Sequence, residues 1–258
     1  PLNLLVRGVE VIQQPDTLLS LESLNVRVQA WPLLKGKVEV DEVTLSQVAV
    51  NSANLIEGMQ IKGVLGRFFL QSHGVDLSNE TAVVNRTELS DTHIQLLMTD
   101  TTTTPKDTTA SAPVNWKVNL HQLKLKNVSF GMKLPADSMK VAAYIGEATI
   151  DDAKADLKDQ FYGLKQFLLS GASASYDTGE AQPSEGFDAS HMAVRNIRIG
   201  LDSLLYEGRN MNAVIREITM EERSGLSITS LTGRLFSNDS IIRIPELKLQ
   251  TPHSEIDL

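Results

Sequence analysis

The sequence contains no cysteine. This excludes a disulfide framework, a thiolate metal site and a cysteine nucleophile. It suits an oxidising compartment, where a stray thiol is a liability. Aromatic residues make up only 5 % of the chain, few for the flat platforms that sugars and planar rings require. There are 24 Lys+Arg against 32 Asp+Glu, a formal charge of −8, and no basic block. A nucleic-acid partner is therefore not expected. No apolar run approaches the roughly 18 residues of a membrane-spanning helix. The chain begins Pro1-Leu2 with no visible signal peptide and reads as an excised segment whose targeting or anchoring part lies elsewhere. What is present is aliphatic: 41 % of residues are hydrophobic, too many for a chain disordered throughout.

Catalytic and metal-binding patterns are missing as well. His73, His93, His121, His191 and His253 stand apart, and none has another ligand-type residue at metal-site spacing. They are expected to be solvated. Asp177-Thr178-Gly179 matches the short core of an aspartic-protease motif but has polar flanks, so it reads as a turn. Asp151, Asp152, Asp156 and Asp159 form an acidic cluster without calcium-loop spacing, expected on a solvated face. No phosphate loop, dinucleotide fingerprint or Gly-x-Ser-x-Gly elbow occurs. The expectation is a protein that is not an enzyme, with no catalytic residue, metal or cofactor.

Two-residue alternation dominates the chain. Leu24, Val26 and Val28 alternate with polar residues, as do Leu123 and Leu125, Ile242 and Ile244, and Leu247 and Leu249. This is the signature of strands with one apolar and one wet face. Turn-prone pairs such as Lys35-Gly36, His73-Gly74 and Glu207-Gly208 recur at short intervals, favouring many short antiparallel strands in meander order. Residues 153–168 fit both a helical spacing and an alternation, and their strand neighbours favour the strand reading. Thr99 to Pro113 is low-complexity and reads as a loop or linker. It divides a first β segment, 1–98, from a second, 114–258, that continues it.

A finer pattern recurs. Writing Φ for an apolar residue, Φ-x-Φ-x-x-Φ-x-Φ fits Val38, Val40, Val43 and Leu45, and then Leu123, Leu125, Val128 and Phe130. It also fits Ala213, Ile215, Ile218 and Met220, and again Ile242, Ile244, Leu247 and Leu249. In a straight strand the second pair would fall on the opposite face. A bend or bulge at the two-residue skip keeps all four on one side. The skips are Asp41-Glu42, Lys126-Asn127, Arg216-Glu217 and Pro245-Glu246. Bends of one hand would curl the sheet around its apolar face into an elongated, groove-like shape with an aliphatic interior. Ordinary bulges in a large, self-packed sheet would satisfy the same spacing. A bare aliphatic strip costs about 25 cal/mol per Å². It must be covered by a second sheet, by closure, or by a flexible apolar ligand such as an acyl chain. The candidate ligand-lining residues are Val38, Val40, Val43, Leu45, Leu123, Leu125, Val128, Phe130, Ile215, Ile218, Ile242, Ile244, Leu247 and Leu249. The competing readings are a closed sandwich or solenoid surface domain and, with less support, a glycan hydrolase on a β scaffold.

Several stretches carry a resemblance. Asp16 to Asn51, with Thr17-Leu18-Leu19-Ser20-Leu21, Trp31-Pro32-Leu33-Leu34-Lys35-Gly36-Lys37 and Val43-Thr44-Leu45, resembles AsmA-like proteins, most of all the TamB family in its Bacteroidetes form. Gly186-Phe187-Asp188-Ala189-Ser190-His191, Asp202-Ser203-Leu204-Leu205-Tyr206 and Glu222-Arg223-Ser224-Gly225-Leu226-Ser227-Ile228 are similar, as is Leu247-Lys248-Leu249-Gln250-Thr251-Pro252-His253-Ser254. The resemblance implies a taco-shaped β-groove in the periplasm of a Gram-negative envelope. It implies anchoring by an N-terminal inner-membrane helix absent from this chain. Phospholipid acyl chains and an outer-membrane β-barrel are the implied partners, for lipid transport or outer-membrane protein assembly.

Overall fold

A computed structural model describes residues 1–13, 16–33, 39–52, 58–76, 79–98, 115–179 and 182–258. Val38 and the Thr99–Pro113 segment lie outside the described residues. The strands are β1 (Leu2–Gln13), β2 (Asp16–Val28), β3 (Val40–Asn51), β4 (Met59–Asp76), β5 (Thr81–Met98), β6 (Lys117–Leu134), β7 (Met139–Asp156) and β8 (Phe161–Leu164). They continue as β9 (Gln166–Asp177), β10 (His191–Glu207), β11 (Asn210–Glu222), β12 (Ser227–Ile228), β13 (Ser230–Ser237), β14 (Ile242–Arg243), β15 (Lys248–Gln250) and β16 (Glu255–Asp257). Helix is confined, among the described residues, to α1 (Ala30–Leu33) and a single 3-10 turn at Pro135–Asp137. The fold is mainly β, as the alternation implies. The ambiguous 153–168 stretch is the end of β7, a turn, β8 and the start of β9.

All sixteen strands join one mixed sheet, ordered largely as they occur in the chain. The pairings are antiparallel, with one exception among the described strands: β5 and β6 run parallel, Leu89 opposite Leu125 and Ile94 opposite Phe130. A parallel pair requires the chain to cross back between the two strands. Individual strands are longer than one stretch of alternation suggests, reaching 18 residues in β4, β5, β6 and β7. The reason is that one strand runs straight on through its skip.

The skips line up across the sheet. The register pairs Arg7 with Ser23 and Val9 with Leu21 but passes over Gly8 and Glu22. It likewise passes over Gln47 and Gly66 between β3 and β4, Gly66 and Asp91 between β4 and β5, and Asp91 and Asn127 between β5 and β6. Asn127 and Gly146 are passed over between β6 and β7. Gly8, Gln47, Asp91, Asn127 and Gly171 all have left-handed backbone, with φ of 63°, 48°, 51°, 54° and 62°. Asn and Asp tolerate this region better than other side chains, and glycine best of all. Local bending and extra twist follow from such interruptions. Their partners must yield space: a Cβ on Gly66 would sit 2.7 Å from Asp91 Cβ and 2.8 Å from its carbonyl oxygen, and one on Gly146 would sit 2.9 Å from the Gly171 carbonyl oxygen. An Asn127 Nδ2–H bond to Asp91 Oδ1, 2.8 Å, ties the line together.

A second line runs parallel to the first. Asp41 is the extra residue between the Arg27–Glu42 and Val28–Val40 pairs. His121 and Asp152 are passed over between β6 and β7, and Asp152 is left-handed at φ 50°. The acidic cluster is spent on this line and beyond it. Asp152 accepts from Lys165 Nζ at 2.8 Å and lies 3.1 Å from His121 Nδ1, and Asp156 pairs with Lys117 at 2.8 Å. Lys165 first, then His121, holds the Asp152 carboxyl below its usual range.

Candidate functional site: an aliphatic sheet face

Residues opposite one another in a ladder share a face, so the register traces rows running perpendicular to the strands. Between the two lines of skips lie two such rows. One is Leu4, Val26, Val43, Leu70, Thr87, Leu123, Ile150, Phe167, Leu201 and Ile215. The other is Val6, Leu24, Leu45, Phe68, Leu89, Leu125, Ala148, Leu169, Ile199 and Ile218. Thr87 is the only polar member of either. Ten strands at the usual interstrand spacing extend about 43 Å. Beyond the first line of skips the apolar surface continues through Val9, Leu21, Val48, Leu65, Thr92, Val128 and Ile145. A further row, from Val11 through Ile94, Phe130 and Ala143 to Val194, ends on Glu222.

These rows are only half-covered. The buried hydrophobic residues among those described are Leu18 and four alanines, and no large side chain is fully buried. Leu125, Leu123, Val43, Leu45, Ile215 and Ile218 are half-buried. Phe130 is 39 % and Ile94 40 % exposed. Every described strand belongs to the one sheet, and among the described residues no large side chain of these rows is fully buried. Contiguous apolar patches of more than a few hundred Å² are unusual on a monomer, which makes a long, incompletely covered aliphatic face a candidate binding surface. It presents aliphatic contact with almost no hydrogen-bonding group, an arrangement that can hold apolar chains.

The structure sorts the expected lining residues into groups. Val43, Leu45, Leu123, Leu125, Ile215 and Ile218 lie in the two central rows. Val128 and Phe130 lie in the rows beyond the first line of skips. Val40 opens β3 opposite Val28. Ile242 is 72 % and Ile244 36 % exposed. Leu249 pairs with Leu231 and Ile256 in a small terminal ladder. Leu247 precedes it, half-buried. The last four stand outside the long rows. Pro245 has no N–H to give a ladder, and the chain turns there, with Glu246 at φ 59°.

The four copies named from the sequence cover only part of the rows: Leu4, Val6, Val9 and Val11 in β1 and Leu19, Leu21, Leu24 and Val26 in β2 fit the same spacing unchanged. Admitting Ala, Thr and Gly extends it to every long strand: Gly63, Leu65, Phe68 and Leu70; Thr87, Leu89, Thr92 and Ile94; Phe167, Leu169, Ala172 and Ala174. One histidine differs from expectation. His191 is buried, its side chain 7 % exposed, with Nδ1 3.0 Å from Asp188 Oδ2. Asp188 also accepts from the Ser184 and Ser190 N–H groups at 3.0 and 2.9 Å. The Ser184 backbone N–H chiefly, with His191 and Ser190, holds this carboxyl far below its usual range. Among the described residues no group of three potential ligands converges on a metal site. Asp177 ends β9 at a turn, with Gly179 at φ 83°.

No protein-family model and no curated protein sequence matches this chain.

Proposed function

We propose that this chain is a lipid-conducting segment of an AsmA- or TamB-like envelope protein, with its aliphatic face as the working surface. The observation that carries the reading is the pair of central rows, apolar across ten strands but for Thr87. Two features support a trough open along its length. Interruptions of the register flank the rows on both sides, and such interruptions are where a sheet bends. The rows also cross ten strands, so an extended chain lying along them meets a similar surface throughout.

The mechanism is passive. Acyl chains lie along the rows and gain burial, while head groups remain in water at the open rim. Aliphatic lining gives affinity without demanding one ligand shape, and translation along equivalent positions changes little free energy. In the intact parent protein the segment lies in the periplasm, anchored to the inner membrane, with a β-barrel of the outer membrane as the receiving partner. The output is phospholipid transfer between membranes, assistance to outer-membrane protein assembly, or both. The chain acts without catalysis, cofactor or metal.

The test is native mass spectrometry of the purified chain with lipid extraction. Co-purifying phospholipid, lost from the L125D/V128D variant while its far-UV circular dichroism is retained, is the expected result. A lipid-free wild type that takes up no added fluorescent phospholipid refutes the reading. Unfolding of the variant favours a closed core, since a buried unpaired carboxylate is costly.

A further inference from the structure

On the face opposite the aliphatic rows, the ends of β4, β5, β6, β7, β9, β10 and β11 line a cavity of about 1150 Å³. Its floor includes the pairing row Lys62, Gln95, Gly131, Ala142, Ser175 and Ala193. These positions alternate with those of the aliphatic row through Ile94 and Phe130, so their side chains leave the sheet on the other side. Small side chains keep the floor low, and the rim is cationic. Lys62, Lys133, Lys140, Arg195 and Arg223 line it, against Asp177, Glu221 and Glu222. Two of these carboxylates are engaged: Glu221 pairs with Arg195 at 3.0 Å, and Glu222 accepts from the Ser224 N–H at 2.6 Å. Among the described residues Lys62, Lys133, Lys140 and Arg223 enter no ion pair. Lys133 and Lys140 stand directly opposite each other in the β6–β7 ladder, and Asp177 stands opposite Lys140 on its β9 side, without an ion pair to it among the described residues. Like charges so placed repel, and in a chain of net charge −8 a concave cationic site is the exception.

We propose that this cavity binds a phosphate-bearing anion, with the Lys133 and Lys140 ammonium groups on its oxygens and Lys62 and Arg223 reinforcing the field. A phosphate placed between the two lysines replaces their repulsion with two charge-assisted contacts. The phosphate belongs to a lipid head group or to a free phosphate compound. The site uses the opposite face from the acyl-chain surface and stands whether or not that surface carries lipid.

Two arms test the proposal on the whole chain and on a K133Q/K140Q variant with an unchanged melting curve. Inorganic pyrophosphate is titrated while the Gly131, Ala142 and Ser175 amide resonances are followed. Vesicles of phosphatidylglycerol and of phosphatidylcholine are co-sedimented at equal salt. Saturable shifts with pyrophosphate assign a free phosphate ligand. Sedimentation with phosphatidylglycerol and not phosphatidylcholine assigns a head group. Either must weaken at least tenfold in the variant, with uptake of a neutral fluorescent acyl probe unchanged. Binding in neither arm, or binding that survives the double substitution, overturns the proposal.

Discussion

Leu123, Leu125, Val128 and Phe130 share their spacing with Ile242, Ile244, Leu247 and Leu249, yet the two segments fold differently. The first belongs to one 18-residue strand that passes through its skip. Asn127 takes the left-handed conformation at φ 54° and anchors itself to Asp91 on the neighbouring strand. The second is cut into a two-residue strand, a turn and a three-residue strand, and Ile242 is 72 % exposed. The difference lies in the skip residues and the neighbours. Lys126-Asn127 keeps both N–H groups and offers a side chain suited to positive φ, whereas Pro245 removes a donor. β6 is flanked by two other 18-residue strands, while β13 offers only 8 residues. Spacing states which residues would share a face, and the skip chemistry and neighbouring strands decide whether they do.

This contrast can be broken most severely at the glycines facing the left-handed residues. Gly66→Val or Gly146→Val forces side-chain atoms into a backbone carbonyl and should cost about 3 kcal/mol or more by denaturant unfolding. Gly131→Ala is the control, since the nearest atom to its Cβ is 3.9 Å away and the change should fall within about 0.5 kcal/mol. Equal effects at Gly66 and Gly131 would remove the close approach from the account.

Truncation of the aliphatic residues comes next. Leu125→Ala should destabilise by about 2 kcal/mol, at the lower end for a core leucine because the site is only half-covered. Ile242→Ala, at the exposed counterpart, should change stability by less than about 0.5 kcal/mol. A similar loss at both would show that the terminal segment packs as the long strands do.

Smaller again is the conformational preference itself. Asn127→Val should cost about 1–2 kcal/mol, as a β-branched residue resists left-handed backbone, and Asn127→Gly should recover most of it by the same unfolding measurement. Full stability of the valine variant would mean that the strand passes the skip without positive φ.

The smallest effect is local and depends on pH. The Asp188 carboxyl is held far below its ordinary range by the Ser184 N–H and its other donors. A carboxyl lowered on folding contributes stability above its unfolded pKa of about 3.9, and loses it as pH falls from there toward the folded value. Limited proteolysis near residues 182–190 should therefore remain slow through pH 5 and accelerate only under strong acid. Asp188→Asn should make it fast at pH 7. An unchanged cleavage rate in that variant would remove Asp188 as the loop's anchor.

The β class and the bending skips were legible in the sequence because two-residue alternation is a local consequence of the pleat. The pattern recovered Val43, Leu45, Leu123, Leu125, Ile215 and Ile218 as members of shared rows, and missed Leu70, Phe68, Ile150, Leu169 and Leu201. The strands of the first four pass through Gly66, Ala148 or Ala172, where a small residue stands at a skip or replaces a large apolar one, and Leu201 stands at a register shift between β10 and β11. The buried His191–Asp188 pair was hidden for a different reason: burial comes from the return of β10 beside β9, not from either residue.

Composition determined what this protein lacks: thiol chemistry, a basic block and a long apolar helix-forming run. The strand pattern determined that it builds a sheet with one aliphatic face. Tertiary pairing decided the rest. It set β5 parallel to β6, brought the skips of successive strands into lines, and joined scattered aliphatic pairs into rows about 43 Å long. Register is a relation between strands distant in sequence, and a one-residue slip would send each row to the opposite face.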